Sequence, residues 1–272
     1  MTRTPAAVAL VVAALLALLT APAATAATGE PGPTARPPGA VPYATLQLNL
    51  CLSGVAGCFG GTAYPSVVDE AVRTVARTGA DVVTVNEACS GDVARLAAET
   101  GMDSRFATVL YRGVPLPCVS PGGRGVFGNA VLTRSAVVAS EDRAFVAQAG
   151  AEERRWLCAT TEDGVRACTA HLSVAGTAAQ AATNDAQCRE LEQVLAAGGP
   201  RTATVFGGDV NRQSGCAPAG AWTLRDDAAT QAPGIQHAYG TRSRLLRPVA
   251  EVVPMTFTDH DALLVRALLR TS

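Results

Sequence analysis

Short apolar runs that finish on one or two polar residues recur along this chain, and they constrain its fold more than any other feature. Residues 45–50 pass through Asn49, 81–85 close on Asn86-Glu87, and 165–171 end at His171. Residues 202–207 lead through Gly208 into Asp209-Val210-Asn211, and Asp259-His260 stand just ahead of the run 262–268. Runs of this length and composition predict buried strands. Further strands are predicted over 106–111, 128–133, 154–160 and 234–239, with a Gly- and Pro-rich loop over 113–125. Helical patterns lie between them. Ser66 and Asp69 form a capping-box-like pair, Val67, Val68, Ala71, Val72, Val75 and Ala76 share one face, and Gly79 ends the pattern. Residues 92–99 predict a short helix and 177–197 a long one. Hairpins mixed with crossovers predict a layered α/β sandwich, in which ligands bind outside the strand ends.

That rule gathers Asn49, Glu87, His171, Asp209, Asn211, Asp259 and His260 into one candidate site. Each has a bland alternative: a turn for Asp209-Asn211, a cap for Asn49, a surface acid for Glu87, a core histidine for His171, an N-cap and half-buried ring for Asp259-His260. Their shared position makes them a set. Gly207 and Gly208 carry no Cβ and so allow a close approach of backbone and ligand.

The N-terminus carries Arg3, an unbroken apolar run over 6–19 and the small-x-small triplet Ala24-Thr25-Ala26. This predicts a secretory signal peptide over 1–26, a flexible Pro/Gly/Ala-rich leader over 27–42 and one domain over 43–272. Eight cysteines suit export and a disulfide framework. Spacing favours Cys51 with Cys58, and Cys158 with Cys168 across a turn at Glu162-Asp163-Gly164; Cys89–Cys118 and Cys188–Cys216 complete the expected set. The cysteines lack Cys-x-x-Cys spacing, which argues against zinc. A net charge of -1 selects no partner.

The chemistry these residues share is hydrolysis of a phosphate ester. Glu87 with Asn49, joined by Asp259, offers oxygen ligands to Mg²⁺, which needs only one or two carboxylates. Asp209 and His260 can orient or deprotonate a water, and Asn211 and His171 can donate to the phosphoryl oxygens.

The ordered motifs Thr45-Leu-Gln-Leu-Asn49, Val83-Thr-Val-Asn-Glu87, Gly128-Asn-Ala-Val-Leu-Thr133, Thr169-Ala-His171-Leu172, Gly208-Asp-Val-Asn211 and Thr258-Asp-His260 resemble the endonuclease/exonuclease/phosphatase superfamily. The resemblance implies a four-layer α/β sandwich, two packed mixed β-sheets flanked by helices, as in deoxyribonuclease I. It implies Mg²⁺-dependent phosphoester cleavage, with Mn²⁺ or Ca²⁺ as substitutes. It assigns Asn49, Glu87 and Asp259 to the metal, Asp209 and Asn211 to water and phosphate, and His260 to catalysis. His171 resembles the second histidine of the deoxyribonuclease and sphingomyelinase branches. Asn86 stands where the family usually has Gln, and Thr258 where it has Ser. Gln236 falls where many relatives carry an Asp that orients the catalytic histidine; Asp226 or Asp227 is a candidate replacement, and His237 an extra candidate more consistent with a strand residue pointing elsewhere. The leading expectation is a secreted, monomeric phosphodiesterase acting on nucleic acid without stable membrane association. A sphingomyelinase-type phospholipase C, an inositol-phosphate phosphatase using Arg242, Arg244 and Arg247, and a non-enzymatic binding module on the same fold are the alternatives.

Overall fold

The computed structural model describes residues 37–55 and 61–271. The expected signal peptide, most of the leader and Cys58 lie outside the described residues. In chain order the elements are β1 (Ala40–Asn49), α1 (Ser66–Thr78), β2 (Val82–Cys89), α2 (Ser90–Thr100), β3 (Asp103–Thr108), β4 (Leu110–Tyr111), β5 (Val114–Pro115), β6 (Phe127–Thr133), β7 (Val137–Ala144), β8 (Arg155–Thr161), β9 (Val165–Ala170), α3 (Ala178–Ala196), β10 (Ala203–Asp209), β11 (Ala221–Arg225), β12 (Gln236–Thr241), β13 (Leu245–Val253) and β14 (Ala262–Arg270). One sheet runs β13-β14-β1-β2-β6-β3 and the other β11-β12-β10-β9-β8-β7; β4 and β5 pair as a separate hairpin. Only β1–β2 and β9–β10 are parallel pairs within the two large sheets, so both are mixed.

Strand periodicity sends alternate side chains to opposite faces, and three cores result. Leu46, Leu48, Val83 and Val85 pack against Val67, Val75, Val93 and Leu96 of α1 and α2. Val82, Val131, Leu263 and Val265 of the first sheet meet Leu157, Ala167, Val205 and Ala238 of the second. Trp156, Phe206 and Tyr239 close on Leu191 and Leu195 of α3. Helix, sheet, sheet and helix therefore stack as the expected four-layer sandwich.

Toward the ends of β1, β2 and β10 the seam between the sheets turns from apolar to polar. Gln47 Nε2 donates to Asn86 Oδ1 (2.8 Å), and Asn86 Nδ2 reaches Asn129 Oδ1 (3.0 Å) and Thr169 Oγ1 (3.3 Å). Asn86 Oδ1 also accepts the backbone N–H of Asp209 at 2.8 Å. A buried amide costs little only when such partners satisfy it. Asn86 thus ties the first sheet to the end of β10.

Gly207 has a different use from the one the sequence suggests. A Cβ there would lie 2.2 Å from Thr84 Oγ1 and 3.2 Å from Gln47 Cβ, so the opposite sheet fills its space, not a ligand. Gly207→Ala should therefore overpack the seam at a cost of about 1–3 kcal/mol. In a domain of this size each kcal/mol lowers Tm by about 2–4 °C, which calorimetry can read. An unchanged Tm would mean that the sheets can part at no cost.

Several local expectations are corrected. β1 starts at Ala40, inside the stretch read as leader, because Ala40 already pairs with Arg270. Ser66 is the first residue of α1, not its cap: Pro65 holds that position and no side chain caps the helix. Gly79 does end it, with φ 64°, and Thr177 caps α3 by accepting from Gln180 N. β7 was not expected; it is an edge strand whose residues from Val138 to Arg143 face solvent, so it carries no apolar run. β11 and β13 were also missed; β13 exposes Arg247 and Glu251 and is interrupted by the half-buried Pro248. Three bridges, Cys89–Cys118, Cys158–Cys168 and Cys188–Cys216, are present as expected, and Cys51 is disulfide-bonded. Cys158 and Cys168 sit opposite each other in the β8–β9 register.

Candidate active site

Asn49 and Asp209 are the last residues of β1 and β10. His171 follows β9 and forms a parallel bridge with Asp209. Glu87 lies within β2, at a bulge: between Val85 and Ala88 the strand carries one residue more than its partner β6. Such bulges re-aim a side chain. Glu87 and Asn211 have φ of 53° and 51°. Non-glycine residues held there cost about 1–3 kcal/mol, a strain found where function demands a geometry. Asp259 and His260 precede β14, which is antiparallel to β1, so its first residues arrive at this same end.

The side chains converge. Asn49 Nδ2 donates to Glu87 Oε1 (3.2 Å) and to Asp209 Oδ2 (3.1 Å). His171 Nε2 lies 3.8 Å from Glu87 Oε1 and 4.0 Å from Asp209 Oδ2. His260 Nε2 lies 3.9 Å from the same Asp209 oxygen and 3.8 Å from Asp259 Oδ1. Thr258 Oγ1 anchors the approach to His260 by donating to Asn49 O at 3.0 Å. Asn211 Nδ2 faces His171 Nε2 and Leu172 O, both at 3.0 Å. The carbonyl fixes this end of the amide as the donor, so His171 Nε2 accepts and the proton of a neutral ring sits on Nδ1. Both Asn211 N–H bonds are thereby engaged within the protein, and donation to a phosphoryl oxygen requires exchange of one of them.

Burial sets the charge states. Desolvation raises the Glu87 carboxyl to about 8; repulsion from Glu152 and Asp209 adds to it, while the Asn49 hydrogen bond and Arg154 oppose it. Desolvation also raises Asp209, against the pull of His260, the Asn211 and Asn49 hydrogen bonds and Arg154. His171 falls well below the usual histidine value through burial, then Arg154 and His260. Two largely buried acids thus share one amide, with Arg154 acting on both. The Glu87 carboxylate is the kind of oxygen donor a hard cation takes, whereas Asn49 turns its amide nitrogen to Glu87 and its Oδ1 accepts from Cys51 N at 3.2 Å, so ligation by that oxygen would require the amide to turn over. Among the described residues no group of three or more His, Cys, Asp or Glu is arranged to hold a metal. Asp259, about a third exposed, stands at the rim beside His260.

Other expectations move. Gln236 does not reach the His260 ring; its Nε2 donates to Asp261 O at 2.5 Å. Asp227 is exposed and paired with Arg225 at 3.0 Å, so it does not replace the missing acid. His237 is buried elsewhere, with Nδ1 against Tyr239 Oη (2.7 Å) and Nε2 against Gly234 O (3.1 Å), and burial lowers it to about 4. Arg242 and Arg244 bond Ala221 O and Arg270 O in the β12–β13 turn, at the opposite end of the sheets, and Arg247 follows them early in β13.

The nearby cation is Arg154, which sequence reasoning did not single out. Its charge acts on Glu87, His171 and Asp209. Its Nη1 lies 2.8 Å from Glu152 Oε1 but lacks the alignment of a hydrogen bond. The available signal was topological: β8 is antiparallel to β9, with Trp156 opposite Ala170, so residues just ahead of β8 arrive beside His171.

A two-sheet α/β sandwich with acids, amides and histidines collected at its strand ends defines a class of phosphoester hydrolases. The chain belongs to the endonuclease/exonuclease/phosphatase family, whose model matches residues 57–260; members of that family hydrolyse phosphoester bonds. No curated protein matches the chain in sequence. Solved structures share the fold. An endonuclease/exonuclease/phosphatase from Beutenbergia cavernae DSM 12333 is 18% identical with TM-score 0.61, over 84% of this chain and 72% of that one. The human Nocturnin catalytic domain with bound sulfate is 13% identical with TM-score 0.63, over 83% and 93%. D. rerio TDP2 complexed with a single-strand DNA product is 13% identical with TM-score 0.58, over 83% and 98%.

Proposed function

We propose that this chain is a secreted, divalent-metal-dependent phosphodiesterase acting on nucleic acid. The observation that carries this reading is the Asp209 carboxylate set between two histidines, 3.9 and 4.0 Å away, with Glu87 alongside. Asp209 accepts a proton from the attacking water, or orients it, and His260 shares that work at Nε2. His171, held neutral by burial, presents a polar ring without adding a charge that would compete with a cation. Arg154 meets the phosphate charge in exchange for its imperfect pairing with Glu152. The bound cation, held by Glu87 and Asn49 with Asp259 near by, would polarise the phosphoryl oxygen and ease departure of the leaving oxygen.

A diester of nucleic acid is favoured over a phosphomonoester of inositol because the arginines expected to form a basic pocket stand at the far end of the sheets. One solved relative holds a DNA product. Secretion is supported by the N-terminal sequence and the disulfides; among the described residues no helix is long and apolar enough to cross a membrane. One feature favours a lipid headgroup instead: the β4–β5 hairpin exposes Tyr111 and Val114.

The purified protein should cleave DNA with Mg²⁺ or Mn²⁺ and stop in chelator. RNA, sphingomyelin and inositol phosphates complete the panel. Preference for sphingomyelin would move the assignment to the phospholipase C reading. Turnover of no substrate, with metal bound, would favour a binding module.

A further inference from the structure

His260 is held in an unusual way. Its Nε2 faces the site, but its Nδ1 is buried without a hydrogen-bond partner among the described residues. Among those residues no hydrogen bond therefore grips the ring from behind. The residue after it is gripped twice. Asp261 accepts at its carboxylate from Thr230 N (2.8 Å), Thr230 Oγ1 (2.9 Å) and Met255 N (3.0 Å). Its carbonyl accepts from Gln236 Nε2 at 2.5 Å.

Behind Gln236 lies Asp226, wholly buried. Its Oδ1 accepts from Gln236 N (3.1 Å) and its Oδ2 faces Gln236 Nε2 (3.4 Å). No salt bridge to it is present among the described residues, and burial raises its carboxyl to about 6. A buried acid without a cation is costly and calls for a use. The use is geometric. An Asp226 oxygen on one side and the Asp261 carbonyl on the other both require N–H, so the Gln236 amide has one permitted orientation. Gln47 Nε2, at 3.4 Å from Gln236 Oε1, requires an acceptor there and agrees with it.

We infer that Asp226 is a positioning residue, which locks the Gln236 amide onto the Asp261 carbonyl and so fixes the backbone that presents His260. The acid that would bond the ring directly is replaced here by an acid one residue further back, acting through an amide and a peptide group. This inference rests on the reading of His260 as a group at the reacting centre.

Asp226→Asn tests it. Asn offers one acceptor where Gln236 presents two donors, so the amide lock is broken while side-chain size is kept. The chain has three histidines, so ring signals of isotope-labelled histidine are few enough to assign with His260→Ala. In Asp226→Asn the His260 ring signals should shift or broaden while those of His171 stay in place. Against the DNA substrate kcat should fall by about 10–10²-fold, the scale of an ångström-level misplacement, with KM changed less than twofold. Gln236→Ala should do the same, and the double variant should be no worse than the worse single one, since both act through one contact. If Asp226→Asn does not fold, Gln236→Ala carries the test. His260 signals superimposable on wild type would overturn the inference, as would unchanged kcat in an active enzyme. If wild type itself turns over no substrate, the proposed function fails, and the ring signals alone decide the positioning role.

Discussion

Asp209→Asn is expected to lower hydrolysis by at least ~10²-fold, the usual scale for removing a positioned acid or base, with the circular dichroism spectrum unchanged. One carboxylate oxygen of Asp209 takes the Asn211 N–H at 3.0 Å, and Asn can still do this. The other faces Asn49 Nδ2 and both histidines, and there an amide supplies neither the charge nor the proton acceptor. Donor would then meet donor at Asn49, so the loss includes distortion of the amide that Glu87 shares. Retention of more than a tenth of wild-type kcat would show that the reacting water is held elsewhere.

Glu87→Gln should produce two opposite effects. The Glu87 carboxyl is raised to about 8 in the folded protein, against about 4.3 in an unfolded chain. Between those values the folded state holds the extra proton, so this group makes metal-free stability fall as pH rises from about 4.3 to 8. Gln carries no titrating proton. Metal-free Glu87→Gln should therefore melt above wild type at pH 8, and the two should converge near pH 4. The same substitution should abolish the rise in Tm that Mg²⁺ or Mn²⁺ gives wild type. In wild type metal binding displaces the Glu87 proton, so affinity should climb with pH until about 8 and level off. Calorimetry with and without metal reads both effects. Undiminished Mg²⁺ binding by the variant would put the cation at other residues.

Much of this arrangement is legible in the sequence because the physics is local. An apolar run ending on Asn49 or Asp209 states both the strand and the place where it stops. Gly79 and the stripe from Val67 to Ala76 state a helix and its end. The parts that were not legible depend on partners distant in the chain. Gly207 reads as an opening for a ligand until Thr84 of the other sheet is seen against it. β7 is polar and exposed, and exists because β8 offers it an edge. Arg154 lies ahead of a strand, not after one, and only antiparallel pairing with β9 delivers it to the site. Gln236 invites comparison with an acid on the histidine ring; its amide turns instead to a backbone carbonyl, a choice made by Asp226 behind it.

The most direct test of the central claim is hydrolysis of DNA by wild type, Glu87→Gln and Asp209→Asn, each in Mg²⁺ and in chelator. The site described here predicts turnover by wild type in metal alone, restoration when metal is returned after chelation, and losses of at least ~10²-fold in both variants. Wild-type turnover that persists in chelator, or that survives both substitutions, would contradict a metal-assisted reaction at this cluster.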